Sequence, residues 1–98
     1  MLKEIKIGGI NYHVQIVERL QDNNEAVWGY TDYKIAEIFI DAGLSSQKQD
    51  QVLMHEALHS SLHEAGLDDI CNDEKIVNPL GNILYQLITE NDFKGGDN

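Results

Sequence analysis

The stretch from Ser46 to Ala65 has the pattern of one continuous helix, and it limits what the rest of the chain can be. Met54, Leu58, Leu62 and Ala65 recur at helical spacing on one face. Ser46 followed by Gln49 has the form of a capping box, and Gly66 stands where a terminating C′ residue belongs. Such a helix needs an apolar surface to pack against. A chain of 98 residues has too little interior to divide between two cores, so residues 1–98 are expected to form a single domain.

The segment before the helix offers that surface. From Lys3 to Val17 apolar residues alternate around Gly8-Gly9, which predicts a β-hairpin. Glu18 to Glu25 is polar and reads as a surface loop leading to Val27-Trp28-Gly29-Tyr30, with pairing resuming near Tyr33. Lys34 to Ile40 is rich in β-branched and aromatic residues and predicts a further strand, broken by Asp41-Ala42-Gly43. After a loop containing Leu67 to Cys71, apolar residues from Ile76 to Ile88 predict a second helix, which Pro79 must either start or kink. Residues 93–98 are expected to fray. The fold class is therefore α+β, three or four strands followed by two helices.

Charge and composition exclude several roles. Seventeen acidic side chains against seven basic ones give a net charge of −10, which repels nucleic-acid backbones and anionic membrane leaflets. No apolar run approaches the roughly 20 residues that span a bilayer, and no signal-peptide core is seen, so the expected location is cytoplasmic. The lone Cys71 has no partner for an internal disulfide and lacks paired zinc-ligand spacing; it reads as an ordinary loop thiol.

Within the predicted helix lies His55-Glu56-Ala57-Leu58-His59, an HExxH motif. Side chains four apart lie one turn above each other, so the two imidazoles can meet one ion. Glu56 falls at the edge of that face, where a general base for a metal-bound water would stand. Imidazole and carboxylate donors suit zinc, one ion per chain, and zinc lowers the pKa of bound water to roughly 7.

A third ligand must come from elsewhere, and His63, Glu64, Asp68, Asp69, Asp73 and Glu74 are available downstream. The His63 Cα lies about 12 Å along the helix from that of His55, too far to share a tetrahedral ion, so His63 is expected to be a hydrogen-bonded neighbour of the site. Ser60-Ser61-Leu62-His63 also lacks the glycine and the distant His of metzincins. Glu74 opens the last helical segment, and the eight residues from Gly66 to Asp73 can span roughly 26 Å, enough to return it to the metal. Glu74 is the expected third ligand.

The motif and its layout resemble the gluzincin peptidases, in particular the short minigluzincins and the ImmA/IrrE-type zincin-like peptidases of phages and mobile elements. Glu74-Lys75-Ile76-Val77-Asn78 matches the ExxxD or ExxxN pattern of that clan. The resemblance implies that Glu74 binds zinc and that Asn78 orients a ligand histidine. It also implies a small antiparallel sheet whose edge strand, placed at residues 34–41, pairs with an extended peptide substrate. Larger members supply an oxyanion-stabilising Tyr or His from a further subdomain; Tyr85, Tyr30, Tyr33 and His13 are the residues here that could replace it.

The expected function is a small zinc endopeptidase in which His55, His59 and Glu74 hold the ion and Glu56 activates water. The alternative is an inactive, zinc-stabilised binding or regulatory module of the same fold. An acidic interaction protein without metal remains only if HEALH is coincidental.

Overall fold

The hairpin forms where the alternation places it. A computed structural model describes residues 1–95, in which β1 (Glu4–Ile7) and β2 (Ile10–Val17) pair antiparallel, with Ile7 opposite Ile10. Gly8 and Gly9 have φ of 58° and 84°, the left-handed pair that a tight two-residue hairpin loop requires. A Cβ at Gly8 would also lie 2.8 Å from the Glu64 Cβ, so this turn touches the end of the first helix.

The polar stretch expected to be a plain loop contains a second small ribbon. β3 (Gln21–Asp22) and β4 (Glu25–Ala26) pair across Asn23 and Asn24, both at positive φ, which asparagine tolerates better than most residues. The predicted strand 34–41 is shorter than expected: β5 (Gly29–Asp32) turns through Tyr33–Ala36 into β6 (Glu37–Asp41). Asp32 Oδ1 accepts from the Lys34 amide at 3.1 Å, and Ala36 has φ 53°, so Lys34–Ala36 belongs to the turn.

Sheet order is β1-β2-β6-β5, and β2 pairs with β6 in parallel. The sheet is therefore mixed, which corrects the antiparallel expectation. It also moves the edge: β6 is interior, and the free edges are β1 and β5. Strand order depends on long-range packing, to which local alternation is blind.

Helix α1 (Ser46–Glu64) covers the sheet, and α2 (Glu74–Thr89) packs on α1. The N-cap of α1 is Ser45, one residue before the predicted box: its hydroxyl accepts from the Lys48 amide, while Gln49 Nε2 donates to the carbonyls of Ala42 and Leu44. At the other end the Gly66 amide bonds His63 O and the Leu67 amide bonds Leu62 O, a Schellman pair around Gly66 at φ 80°. The core joins Ile7, Tyr12, Val14, Ile38 and Ile40 of the sheet to Leu53 and Ala57 of α1. Its helical contribution is rotated from the expected stripe, since Met54, Leu58 and Leu62 are only half-buried while Glu56, His59 and Ser60 are buried.

Tyr12 is fully buried, and its hydroxyl donates to Glu64 Oε2 at 2.6 Å, tying β2 to the last turn of α1. Pro79 neither starts nor ends α2; the helix runs through it from its Asp73 N-cap. The bond lost is to the Lys75 carbonyl, and because Lys75 and Pro79 are both exposed, water can serve that group. Phe93 and Lys94 form a turn, with Lys94 N donating to Asp92 Oδ1 at 3.0 Å; residues 96–98 of the predicted tail lie outside the described residues. Among the described residues no helix is long and apolar enough to cross a membrane.

Candidate metal centre

The two histidines of HEALH converge as one-turn spacing requires. Their Nε2 atoms are 3.2 Å apart and their rings meet edge-on at 76°. The connection after Gly66 then returns the chain, through short-range bonds such as Cys71 N to Leu67 O and Asp73 N to Ile70 O, so that α2 begins beside them. Asp73 caps α2, and Glu74, its first residue, faces the pair: Oε2 is 3.1 Å from His55 Nε2 and Oε1 is 2.8 Å from His59 Nε2. The donor atoms of these three residues all lie within 4.8 Å of one another, so the group can hold a metal ion.

The tautomer of His59 sharpens that conclusion. Its Nδ1 lies 2.5 Å from the Cys71 carbonyl, and since a carbonyl can only accept, Nδ1 carries the hydrogen. In the neutral ring Nε2 is then a bare lone pair aimed at His55 Nε2 and the Glu74 carboxylate. Lone pairs about 3 Å apart repel unless a proton or a cation lies between them. This imidazole backed by a carbonyl is a common support for a metal-binding histidine.

Glu56 lies beside the group and outside it. It is 7% exposed, and Oε1 accepts the Thr31 hydroxyl of β5 at 2.8 Å. Burial pushes its carboxyl pKa upward, opposed by the Thr31 hydrogen bond and the two histidines, with Glu74 adding to the rise. Gly29 allows this proximity: a Cβ there would lie 2.6 Å from Val52 Cγ1 and 3.0 Å from the Phe39 carbonyl oxygen, so a larger residue would push α1 off β5. A cleft along the β5 edge is lined by Gly29, Tyr30, Thr31 and Tyr33 on one side and by Glu56, His59 and Glu74 on the other.

Four of the six predicted site residues, His55, Glu56, His59 and Glu74, come together. Asn78 does not join them: it is exposed, and none of the side-chain hydrogen bonds found among the described residues links it to a histidine. The backing that the resemblance assigned to Asn78 comes instead from the Cys71 carbonyl, on His59. His63 is hydrogen-bonded as expected, but to Asp68 Oδ1 at 2.6 Å and stacked on Tyr33, not to the HEALH rings. Of the four oxyanion candidates, Tyr30 and Tyr33 line the cleft, whereas Tyr85 lies in a separate apolar groove with Leu53 and Met54, and His13 is exposed on β2.

Sequence reasoning missed Thr31 and the Cys71 carbonyl. A threonine in a strand pattern carries no mark of a carboxylate partner, and a main-chain carbonyl carries none at all. Compared with known proteins, the chain matches no protein-family model, no curated protein and no solved structure.

Proposed function

We propose that this chain is a zinc-dependent peptidase of the gluzincin type, with His55, His59 and Glu74 as the zinc ligands. The observation that carries the proposal is the convergence of two imidazole nitrogens and one carboxylate, with a second carboxylate, Glu56, held next to them but outside the group. A purely structural zinc site closes its fourth position and has no use for such a neighbour. Nitrogen and oxygen donors in this number suit zinc, and the bound ion would supply a polarised water and a positive charge for the scissile carbonyl.

The roles of the protein groups follow from their places. Glu56 takes the proton of the attacking water and passes it to the departing amine nitrogen. Thr31 orients the Glu56 carboxylate through Oε1. The backbone of β5 is a free sheet edge along the cleft and pairs with an extended peptide, the part assigned from sequence to residues 34–41. A cytoplasmic setting accords with the single unpaired thiol.

A second reading, a zinc-stabilised binding module that hydrolyses nothing, draws on the same features: Glu56 is buried and already engaged by Thr31. Replacing Glu56 with Gln separates the two. The peptidase loses hydrolysis of a peptide library by on the order of 10²-fold or more while keeping its zinc. A wild-type protein that is fully zinc-loaded and cleaves nothing favours the module.

A further inference from the structure

His63, Asp68 and Cys71 form a second convergent group, joined to the first through Cys71, whose carbonyl accepts from His59 Nδ1. His63 Nδ1 lies 2.6 Å from Asp68 Oδ1, and Cys71 Sγ lies 3.9 Å from that same oxygen and 3.7 Å from the Asp68 carbonyl. All three donor atoms lie within 4.8 Å of one another. Around a tetrahedral zinc-class ion, with bonds of about 2.0 Å to nitrogen and oxygen and 2.3 Å to sulfur, neighbouring donors stand about 3.3–3.6 Å apart. The observed 2.6 and 3.9 Å separations bracket that range, so shifts of under about 1 Å admit an ion.

We propose that these three side chains are a second metal site, holding a zinc-class divalent transition ion through His63 Nδ1, Asp68 Oδ1 and Cys71 Sγ. The proposal does not rest on the peptidase reading. A thiolate among the donors disfavours magnesium and calcium, and the mixture of imidazole, carboxylate and thiolate suits zinc. Binding replaces the His63–Asp68 hydrogen bond: the neutral ring moves its hydrogen from Nδ1 to Nε2 through solvent, which frees the Nδ1 lone pair for the ion, and the thiol proton is released to solvent.

The surroundings suit an ion better than other uses of a cysteine. The Tyr33 ring stacks on His63 at 4.3 Å and 15°, fixing the imidazole plane. Cys71 is 2% exposed and its sulfur pairs with Asp68 rather than with an imidazole, which disfavours a nucleophile. The side chains of His63 and Asp68 are 33% and 67% exposed, so an ion enters from their side. Its consequence is structural: Cys71 also presents its carbonyl to His59, so an ion here would staple the Leu67–Asp73 connection that backs His59 and delivers Glu74.

Cobalt(II) titration of the full chain under a non-thiol reductant tests this directly. The HEALH group contains no sulfur, so a thiolate-to-cobalt charge-transfer band in the near ultraviolet reports the second site alone. The expected result is a saturable band that disappears in Cys71→Ser, falls at least tenfold in affinity in His63→Ala and in Asp68→Asn, and persists in His59→Ala. His63→Ala and Asp68→Asn retain the thiol, so a lost band in these variants, with melting near the wild type, cannot be ascribed to unfolding. A folded wild-type chain that shows no such band at saturating cobalt, or a band unaffected by His63→Ala and Asp68→Asn, would overturn the proposal. A wild-type chain that shows the band but binds no second, sulfur-free equivalent would instead count against the HEALH site and leave this one standing.

Discussion

Glu74 Oε1 lies 2.8 Å from His59 Nε2, although His59 is in the penultimate turn of α1 and Glu74 opens α2. The contact exists because the Schellman end at Gly66 stops α1 and the bonded turn from Leu67 to Asp73 reverses the chain. Its partner distance, 3.1 Å from Oε2 to His55 Nε2, makes the carboxylate a bridge between both rings. Several consequences can be measured.

Replacing Glu74 with Ala removes one of three converging donors. Metal affinity is expected to fall by well over 10-fold, because loss of supporting groups outside the coordination shell alone costs about 10–100-fold. A competition titration with a chromophoric chelator reads this, and unchanged affinity would remove Glu74 from the ligand set.

Chelation should destabilise the fold, since an ion bound by residues from both helices stabilises only the folded chain. At free zinc about 100-fold above Kd the stabilisation is about 2.7 kcal/mol. For a domain of this size that shifts Tm by on the order of 10 °C or more. Equal melting curves with and without chelator would contradict it.

Thr31→Val keeps the shape of the side chain and deletes the hydroxyl that holds Glu56 Oε1. The buried carboxylate then loses a partner, at a cost of about 1–3 kcal/mol in stability. In the peptidase reading kcat falls by roughly tenfold or more, about 1.4 kcal/mol in the barrier, while zinc content holds. A variant with full activity would show that Thr31 serves packing alone.

Gly29→Ala and Gly81→Ala should differ sharply. The first places a Cβ 2.6 Å from Val52 Cγ1 and 3.0 Å from the Phe39 carbonyl oxygen, an overpacking expected to cost about 1–3 kcal/mol and to shift Glu56. The second places one 3.6 Å from His55 Nδ1, an ordinary contact, and gains up to about 1 kcal/mol of helix propensity. Denaturant unfolding of both variants checks the contrast; equal losses would refute it.

Local patterns made part of this legible from the residues alone. Gly8-Gly9 between alternating apolar residues gave away the hairpin, Gly66 the end of α1, and the one-turn spacing of His55 and His59 their convergence. The reach from Gly66 to Asp73 was enough to nominate Glu74. Other features depend on contacts that no local pattern encodes. The parallel pairing of β2 with β6 makes β5 the edge, and Ile35, β-branched and strand-like, falls in a turn because Asp32 and Ala36 fix its conformation. The buried face of α1 was misphased because site residues Glu56 and His59, polar by type, occupy buried positions. Likeness to a pattern points to Asn78, whereas His59 Nδ1 donates its hydrogen bond to the main-chain carbonyl of Cys71.

The most direct test of the central claim is elemental analysis of the protein purified without chelator and reconstituted with zinc, beside its His59→Ala and Cys71→Ser variants. The account predicts one zinc equivalent at the HEALH group that His59→Ala loses and Cys71→Ser keeps, so that with the His63, Asp68 and Cys71 group also filled each single variant holds one equivalent fewer than the wild type and the double variant holds none. Zinc absent from the wild type after reconstitution, or unchanged when His59 is removed, would contradict it.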